Sequence, residues 1–350
     1  MKRTKTIAVT LIGILATLIA CDGMPTEKEM GAYLLVYFND PTHSLFMALS
    51  SDGYSFTDVN NGQPVIGGDT IATQKGIRDP HITRGADGAF YLAMTDLHIF
   101  GQEAGHRNTQ WERDGTLHGW GNNRGFVLMK SNDLINWRHS NLLIEDQFPE
   151  LNVSCAWAPQ TIYDAEEGKM MLYFTMRLDG GKTKMYYAYT DDDFTRLVSA
   201  PKILFEYPDP EIQVLDADIT PMPDGRFLMT YVSQEGPAGI KMAISEKINS
   251  GYLYQPDQID FEPRSCEAPN VWKRIGEEKW VLMYDIFSIN PHNFGFAETV
   301  DFETFTHLGH FNEGVMKTTN FTTPKHGAVI HLTRKEAEAL AAHWNLQMDF

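Results

Sequence analysis

The chain has no basic run, only three cysteines in 350 residues, no dedicated calcium loop and no apolar stretch comfortably long enough to cross a bilayer. Each absence excludes something. With 29 Lys and Arg against 46 Asp and Glu the net charge is −17, so nucleic acid and anionic membrane surfaces are poor partners. A neutral sugar polymer is compatible with that charge. Helix signals are also scarce, and strand signals dominate. Hydrophobic residues make up 43% and aromatics 12%, enough to bury a large core in one all-β domain.

The N terminus reads as an export signal over 1–21. Met1-Lys2-Arg3-Thr4-Lys5 is a positive n-region, and residues 7–20 form an apolar h-region too short for a span. Leu18-Ile19-Ala20-Cys21 resembles the bacterial lipobox. That resemblance implies cleavage before Cys21, lipid on its sulfur, and an exported, membrane-anchored lipoprotein facing the periplasm or the cell surface. An ordinary secretory signal is the alternative. Residues 22–31 then form a tether, and 32–350 form the folded domain. Export would permit a disulfide between the other two cysteines, Cys155 and Cys266. The repeat described next puts them on non-adjacent units, too far apart to bridge, so both are expected as small buried side chains.

Five segments read as one strand written five times. They are Asp79-Pro80-His81-Ile82, Ala158-Pro159-Gln160-Thr161-Ile162, Asp216-Ala217-Asp218-Ile219, Glu267-Ala268-Pro269-Asn270-Val271 and Lys325-His326-Gly327-Ala328-Val329. The first four lead through a turn into second apolar strands at 89–95, 170–176, 226–232 and 279–284. A second element repeats as well, an Asp followed by an aromatic residue or Leu. It occurs in Ser51-Asp52-Gly53-Tyr54, Asn132-Asp133-Leu134, Asp193-Phe194-Thr195 and Asp301-Phe302-Glu303, with a degenerate copy near 245–253. The carboxylate can close a tight turn while the large residue seals an edge. Such periodicity implies a radial array of small sheets. The strand at His326 lacks outer partners, and strands between Tyr33 and Phe56 can supply them and close the ring. The expected fold is therefore an all-β, five-bladed β-propeller. Thr333 with Glu336 forms a capping box for a short C-terminal helix, read as packing without chemistry.

In a propeller the equivalent ends of the inner strands converge on the axis. Asp79, Asp216 and Glu267, placed at matching positions of the repeat, would then share one pocket, and three acids in one pocket suggest glycoside hydrolysis. Ala158 and His326 show that the repeat does not need an acid there. Singly, each acid reads as a turn residue. The long insertion at 98–124 reads as a substrate-shaping loop. Its His98, His106 and His118 have no standard metal spacing.

Arg78-Asp79-Pro80-His81-Ile82, Trp157-Ala158-Pro159, Leu215-Asp216-Ala217-Asp218-Ile219 with Asp224-Gly225, Glu267-Ala268-Pro269 and Lys325-His326-Gly327 together resemble glycoside hydrolase family 43 in order and spacing. The resemblance runs from about Tyr33 to Thr333. It implies inverting enzymes on a five-bladed propeller, mostly α-L-arabinofuranosidases, β-xylosidases and endo-arabinanases. It implies Asp79 as general base, Asp216 as the carboxylate that tunes the acid, and Glu267 as general acid. Asp218 is the alternative to Asp216, because residues two apart share a strand face. His326 resembles the histidine at the pocket floor that contacts a water-coordinated calcium; a buried structural histidine is the other reading. Trp157 offers either a sugar-ring wall or packing between blades. No cofactor is required. The substrate reading is an oligo- or polysaccharide, cut from its non-reducing end. Two rivals stand beside it: a non-catalytic glycan-binding propeller, and a retaining five-bladed glycosidase with its two carboxyls closer together.

Overall fold

Short runs of β-branched and aromatic residues separated by turns pair with their sequence neighbours, and five such groups close into a ring. The computed structural model describes residues 25–106 and 123–350 and shows a five-bladed β-propeller. The signal segment with Cys21, and His118 of the long insertion, lie outside the described residues.

Blade 1 runs through Ile77–Arg84, Phe90–Asp96, Gly125–Ser131 and Trp137–Leu143. Blade 2 has Val153–Asp164, Lys169–Leu178, Lys184–Tyr189 and Lys202–Phe205. Blade 3 has Val214–Pro221, Phe227–Ser233, Gly239–Ser245 and Leu253–Tyr254. Blade 4 has Glu267–Lys273, Trp280–Ile286, Asn293–Thr299 and Thr306–His310. Blade 5 joins both ends of the chain: its inner strand Lys325–Thr333 pairs with Met30–Phe38, in register Leu35 with Val329, followed by Phe46–Ser50, Ser55–Asp58 and Lys317–Thr318. The expected ring closure is therefore present. Residues ahead of 32 also join the fold, since Met30 pairs with Thr333 and Glu27 meets Lys273 at 3.0 Å.

Each blade buries one face against the next, which produces five hydrophobic clusters among the described residues. Phe126 of blade 1 packs with Phe174 of blade 2, Tyr173 with Tyr231 across blades 2 and 3, and Leu228 with Leu282 across blades 3 and 4. Phe296 and Tyr37 share the junction of blades 4 and 5, and Leu34 and Leu92 the junction of blades 5 and 1. Full burial of one such side chain stabilises by about 1.5–3 kcal/mol. The C-terminal helix Arg334–His343 is capped as expected: Thr333 Oγ1 accepts from Glu336 N at 3.2 Å and Glu336 accepts from Thr333 N at 2.8 Å. Its Ala337, Leu340 and Ala341 enter the core between blades 5 and 1, and Glu336 holds Arg84 of blade 1 at 2.7 Å.

Polar side chains stitch the inner strands together. Thr161 N donates to His81 Nδ1 at 3.2 Å, Ile219 N to the Tyr173 hydroxyl at 3.0 Å, Val271 N to Asp218 at 2.9 Å and Val329 N to Asn270 at 2.9 Å. The turn element also forms. Asp52, Asp133 and Asp301 each accept two backbone N–H groups two and three residues ahead. In blade 2 the acceptor is Asp191, not the expected Asp193. Asp191 takes Thr195 N at 2.7 Å and Arg196 N at 3.3 Å, because that turn is wider. Cys155 and Cys266 are buried and unbridged, as their blade positions required.

Candidate active site

The inner strands do not pair regularly with their neighbours. Register shifts fall between Arg78 and His81, Trp157 and Gln160, Leu215 and Asp218, and Glu267 and Asn270, so two residues oppose one in four blades. The corresponding shift in blade 5 leaves His326 outside the pairing. These are β-bulges, which bend a strand and re-aim its side chains. The first bulged residue is left-handed every time: Asp79 at φ 54°, Ala158 at 45°, Asp216 at 55°, Ala268 at 55° and His326 at 29°. Non-glycine residues in that region cost about 1–3 kcal/mol each and gather at functional sites. The preceding blade's second strand takes up N–H groups released from the ladder. Thr95 Oγ1 accepts from Ala158 N at 2.9 Å, Thr175 Oγ1 from Asp216 N at 2.9 Å, and Asp285 Oδ2 from His326 N at 3.3 Å.

The bulges correct the repeat alignment. Asp79 and Asp216 occupy equivalent positions, but Glu267 does not share them. Its blade places Ala268 there, and Glu267 stands one residue earlier, equivalent to Arg78, Trp157, Leu215 and Lys325. The sequence carried a marker for this register. Pro80, Pro159 and Pro269 coincide when the bulges are superposed, and a proline suits a bulge because it has no N–H to offer a ladder. Two rings of side chains therefore face the axis. Asp79, Asp216 and Glu267 still line one cavity of about 300 Å³, together with Arg78, Leu97, Trp157, Arg177, Gln213, Leu215, Gln234 and His326. A larger groove of about 660 Å³, between Arg226 and Leu253 on the outer edge of blade 3, holds no comparable set of buried acids.

Asp218 stays out of this cavity. Its carboxylate accepts from Asn270 Nδ2 at 3.0 Å and from Val271 N at 2.9 Å, which makes it a tie between blades 3 and 4. Trp157 lines the cavity, with the Arg177 guanidinium 5.7 Å from its ring centre. His98 and His106 lie near each other, but His98 stacks on His43 at 4.2 Å.

Electrostatics separates the acids. Asp79 is buried, which alone would raise its pKa, yet it is held well below the carboxylate range. His326 Nδ1 stands 3.2 Å from Oδ1, Arg78 is adjacent, and the Thr95 hydroxyl donates to Oδ2 at 2.7 Å. Burial opposes charge on His326 too, but Asp79, Asp216 and Glu267 push it up to about 9. Asp216 is pulled down less, by the His326 charge and a backbone hydrogen bond from Ala268. Burial, with the nearby Glu267 and Asp79, pushes it up to about 8 against the pull of His326. Glu267 is also raised, first by burial, with Lys325, His326 and Arg78 opposing. A charge on Glu267 raises Asp216, so the two neighbouring acids disfavour being ionised at once.

Sequence reading did not pick out Thr95, Arg78, Lys325 or Asp285. Asp285 faces Glu267 across the blade 4 pair with Lys325 3.8 Å away, and burial pushes it up to about 7. Arg78 and Lys325 belong to the same ring as Glu267 and become legible once the prolines set the register. Thr95 and Asp285 come from second strands, whose relation to the axis no motif marks. Around His326 lie Asp79 at 3.2 Å and Lys325, itself 3.8 Å from Asp285.

A family model described as a probable glycosyl hydrolase domain, related to family 43, matches residues 28–338. Among proteins with curated descriptions, none matches this chain in sequence. Solved structures share the fold at low identity. A thermostable family-43 glycoside hydrolase is 18% identical, with 75% of this chain and 85% of that one covered and a TM-score of 0.53. The endo-arabinase from Bacteroides thetaiotaomicron is 14% identical over 79% of this chain and 92% of its own, TM-score 0.57. The GH43 BlXynB protein from Bacillus licheniformis is 13% identical over 85% and 55%, TM-score 0.53. With the propeller, the three-acid cavity and a match over most of its length, the chain belongs to the family-43-related glycosyl hydrolases.

Proposed function

We propose that the protein is an inverting glycosidase that removes α-L-arabinofuranosyl or β-xylosyl units from the non-reducing ends of plant polysaccharide chains. The observation that carries this reading is the unequal setting of three acids in one cavity: Asp79 in contact with His326 and Thr95 and held ionised, with Asp216 and Glu267 both raised above the usual carboxylate range. Inversion needs this combination of a base for water and an acid for the leaving oxygen. Asp79 has its oxygens fixed by Thr95 and His326, so it orients the attacking water and takes its proton as the glycosidic bond breaks. Glu267, the more accessible member of the pair, delivers a proton to the departing oxygen. Burial first, with the Asp79 charge beside it, keeps that proton on Glu267, while Asp216, itself pushed up to about 8, lies next to it and adds repulsion only where it ionises. A cavity of about 300 Å³ suits a terminal sugar, and Trp157 supplies an apolar wall. No step uses a metal ion.

Export and anchoring through Cys21 belong to the same proposal, since an extracellular glycan must be met outside the cytoplasm. Cys21→Ala is expected to abolish lipid labelling and release the protein into the soluble fraction; continued labelling refutes the anchor. For the reaction, nitrophenyl arabinofuranoside, xyloside and galactoside are compared, and the anomer released first is read by proton NMR. Inverted arabinose or xylose supports the proposal. Retained configuration moves the assignment to the retaining mechanism, and no turnover on any glycoside favours a glycan-binding protein.

A further inference from the structure

We propose that the outer edge of blade 4 is a binding site for a divalent transition-metal ion, held by Glu262, His307 and His310. One ligand atom from each lies within 4.8 Å of the others. The site is remote from the acid cavity in its lining residues, and the inference does not rest on the glycosidase reading.

The backbone brings these side chains together by a specific device. His307 and His310 sit three apart in the strand Thr306–His310, and in a regular strand such residues face opposite sides. Here Ala297 pairs with His307 and Phe296 with Gly309, which leaves Leu308 as an extra residue. Gly309 takes φ +82°, where a Cβ would stand 2.8 Å from Gly314 Cα. A bulge with a left-handed glycine shifts the alternation by one, so both imidazoles reach the same side.

The surrounding groups match what a metal-binding histidine requires. His310 Nε2 points at Glu262 Oε1, 3.0 Å away, while its Nδ1 lies 3.2 Å from Glu313 Oε2. With a metal on Nε2, Nδ1 carries the proton and donates it to Glu313, the carboxylate partner that fixes tautomer and ring direction at metal sites. Glu262 is held by the Tyr284 hydroxyl at 3.1 Å, and its side chain is only 5% exposed, so its charge is directed inward at the two rings. The His307 ring lies flat on Phe261, 5.0 Å between centres and 12° between planes. The His307 ring makes no hydrogen bond to another described side chain, so its nitrogens are open to a ligand. Two imidazoles and one carboxylate suit zinc or a neighbouring transition metal with water in the fourth position. Calcium and magnesium, which take oxygen ligands, are disfavoured.

Such an ion would tie the outermost strand of blade 4 to the segment that leads into its innermost strand, since Glu262 precedes Glu267 by only a few residues. Metal that binds the folded state alone raises its melting temperature by mass action.

The test uses untagged full-length protein stripped with EDTA and titrated with zinc chloride by calorimetry. Cobalt chloride provides a visible spectrum that reports nitrogen and oxygen ligation. One equivalent of zinc is expected, with a zinc-dependent rise in melting temperature. His307→Ala, on an exposed side chain, and Glu262→Gln should each weaken zinc binding at least tenfold while near-UV circular dichroism stays unchanged. Glu313→Gln should weaken it by about tenfold through the ring it orients. Absence of saturable zinc binding overturns the proposal. So does a His307→Ala protein that binds zinc and shows the cobalt spectrum like the parent.

Discussion

Asp79 and Asp216 are the same residue in the same backbone state. Both begin a bulge with φ near +55°, both are nine-tenths or more buried, and both open into one cavity. Yet Asp79 is held ionised and Asp216 is pushed up to about 8. The difference comes from what blade 5 and the second strand of blade 1 deliver. His326 and the Thr95 hydroxyl contact Asp79, whereas Asp216 faces burial and other carboxylates. A repeated unit can thus place two identical side chains symmetrically, and the asymmetry of their neighbours assigns them different charge.

The largest effects should come from removing one role at a time. Asp79→Ala is expected to lower kcat by about 10²–10⁴-fold on activated and natural glycosides alike, because water activation is lost for both. Glu267→Ala should lose a similar factor only on substrates with poor leaving groups, and nitrophenyl glycosides should retain much more activity. Equal losses on both substrates would overturn the acid assignment.

Next comes the paired substitution in blade 3. Asp216→Asn should reduce activity by about 10²-fold or more with the fold intact. Asp218→Asn should instead destabilise by about 1–3 kcal/mol, because it disturbs the buried acceptor of Val271 N and Asn270. Urea unfolding beside initial rates separates the two, and the reverse pattern would move the pocket role to Asp218.

A smaller effect is expected from His326→Gln, which makes the surroundings of Asp79 more like those of Asp216. Without the cation, Asp79 should rise, and the rate profile should acquire an acid limb that the parent lacks above pH 4. An unchanged profile would show that His326 does not hold Asp79 ionised.

The smallest effect is on stability against pH. Asp216 at about 8 and His326 at about 9 both lie above their unfolded values of about 3.9 and 6.5. Their contributions are fully present below those unfolded values and are lost as pH rises through the folded ones. Asp79 works in the opposite sense and contributes above about pH 4. The melting temperature should therefore peak on the mildly acidic side and decline toward pH 9. Asp216→Asn should flatten that decline, and a parent protein most stable at pH 9 would contradict these charge states.

The sequence by itself determined the five inner strands, the turns closed by Asp52, Asp133 and Asp301, the capping box at Thr333 and the closure through residues 33–38. Each depends on local alternation, a turn or a cap, and such patterns are written in adjacent residues. It also named Asp79, Asp216 and Glu267, which stand in marked motifs. Only the tertiary structure decided that Glu267 lies one residue out of step with the two aspartates, because a bulge is a relation between two strands. It alone decided that Asp218 ties blades while Asp216 faces the cavity, and that Asp191 rather than Asp193 closes its turn. Protonation was likewise beyond the sequence: the charge on Asp79 depends on His326, almost 250 residues away along the chain and 3.2 Å away in space. Coulombic attraction and desolvation act through distance and burial, and neither is set until the ring closes.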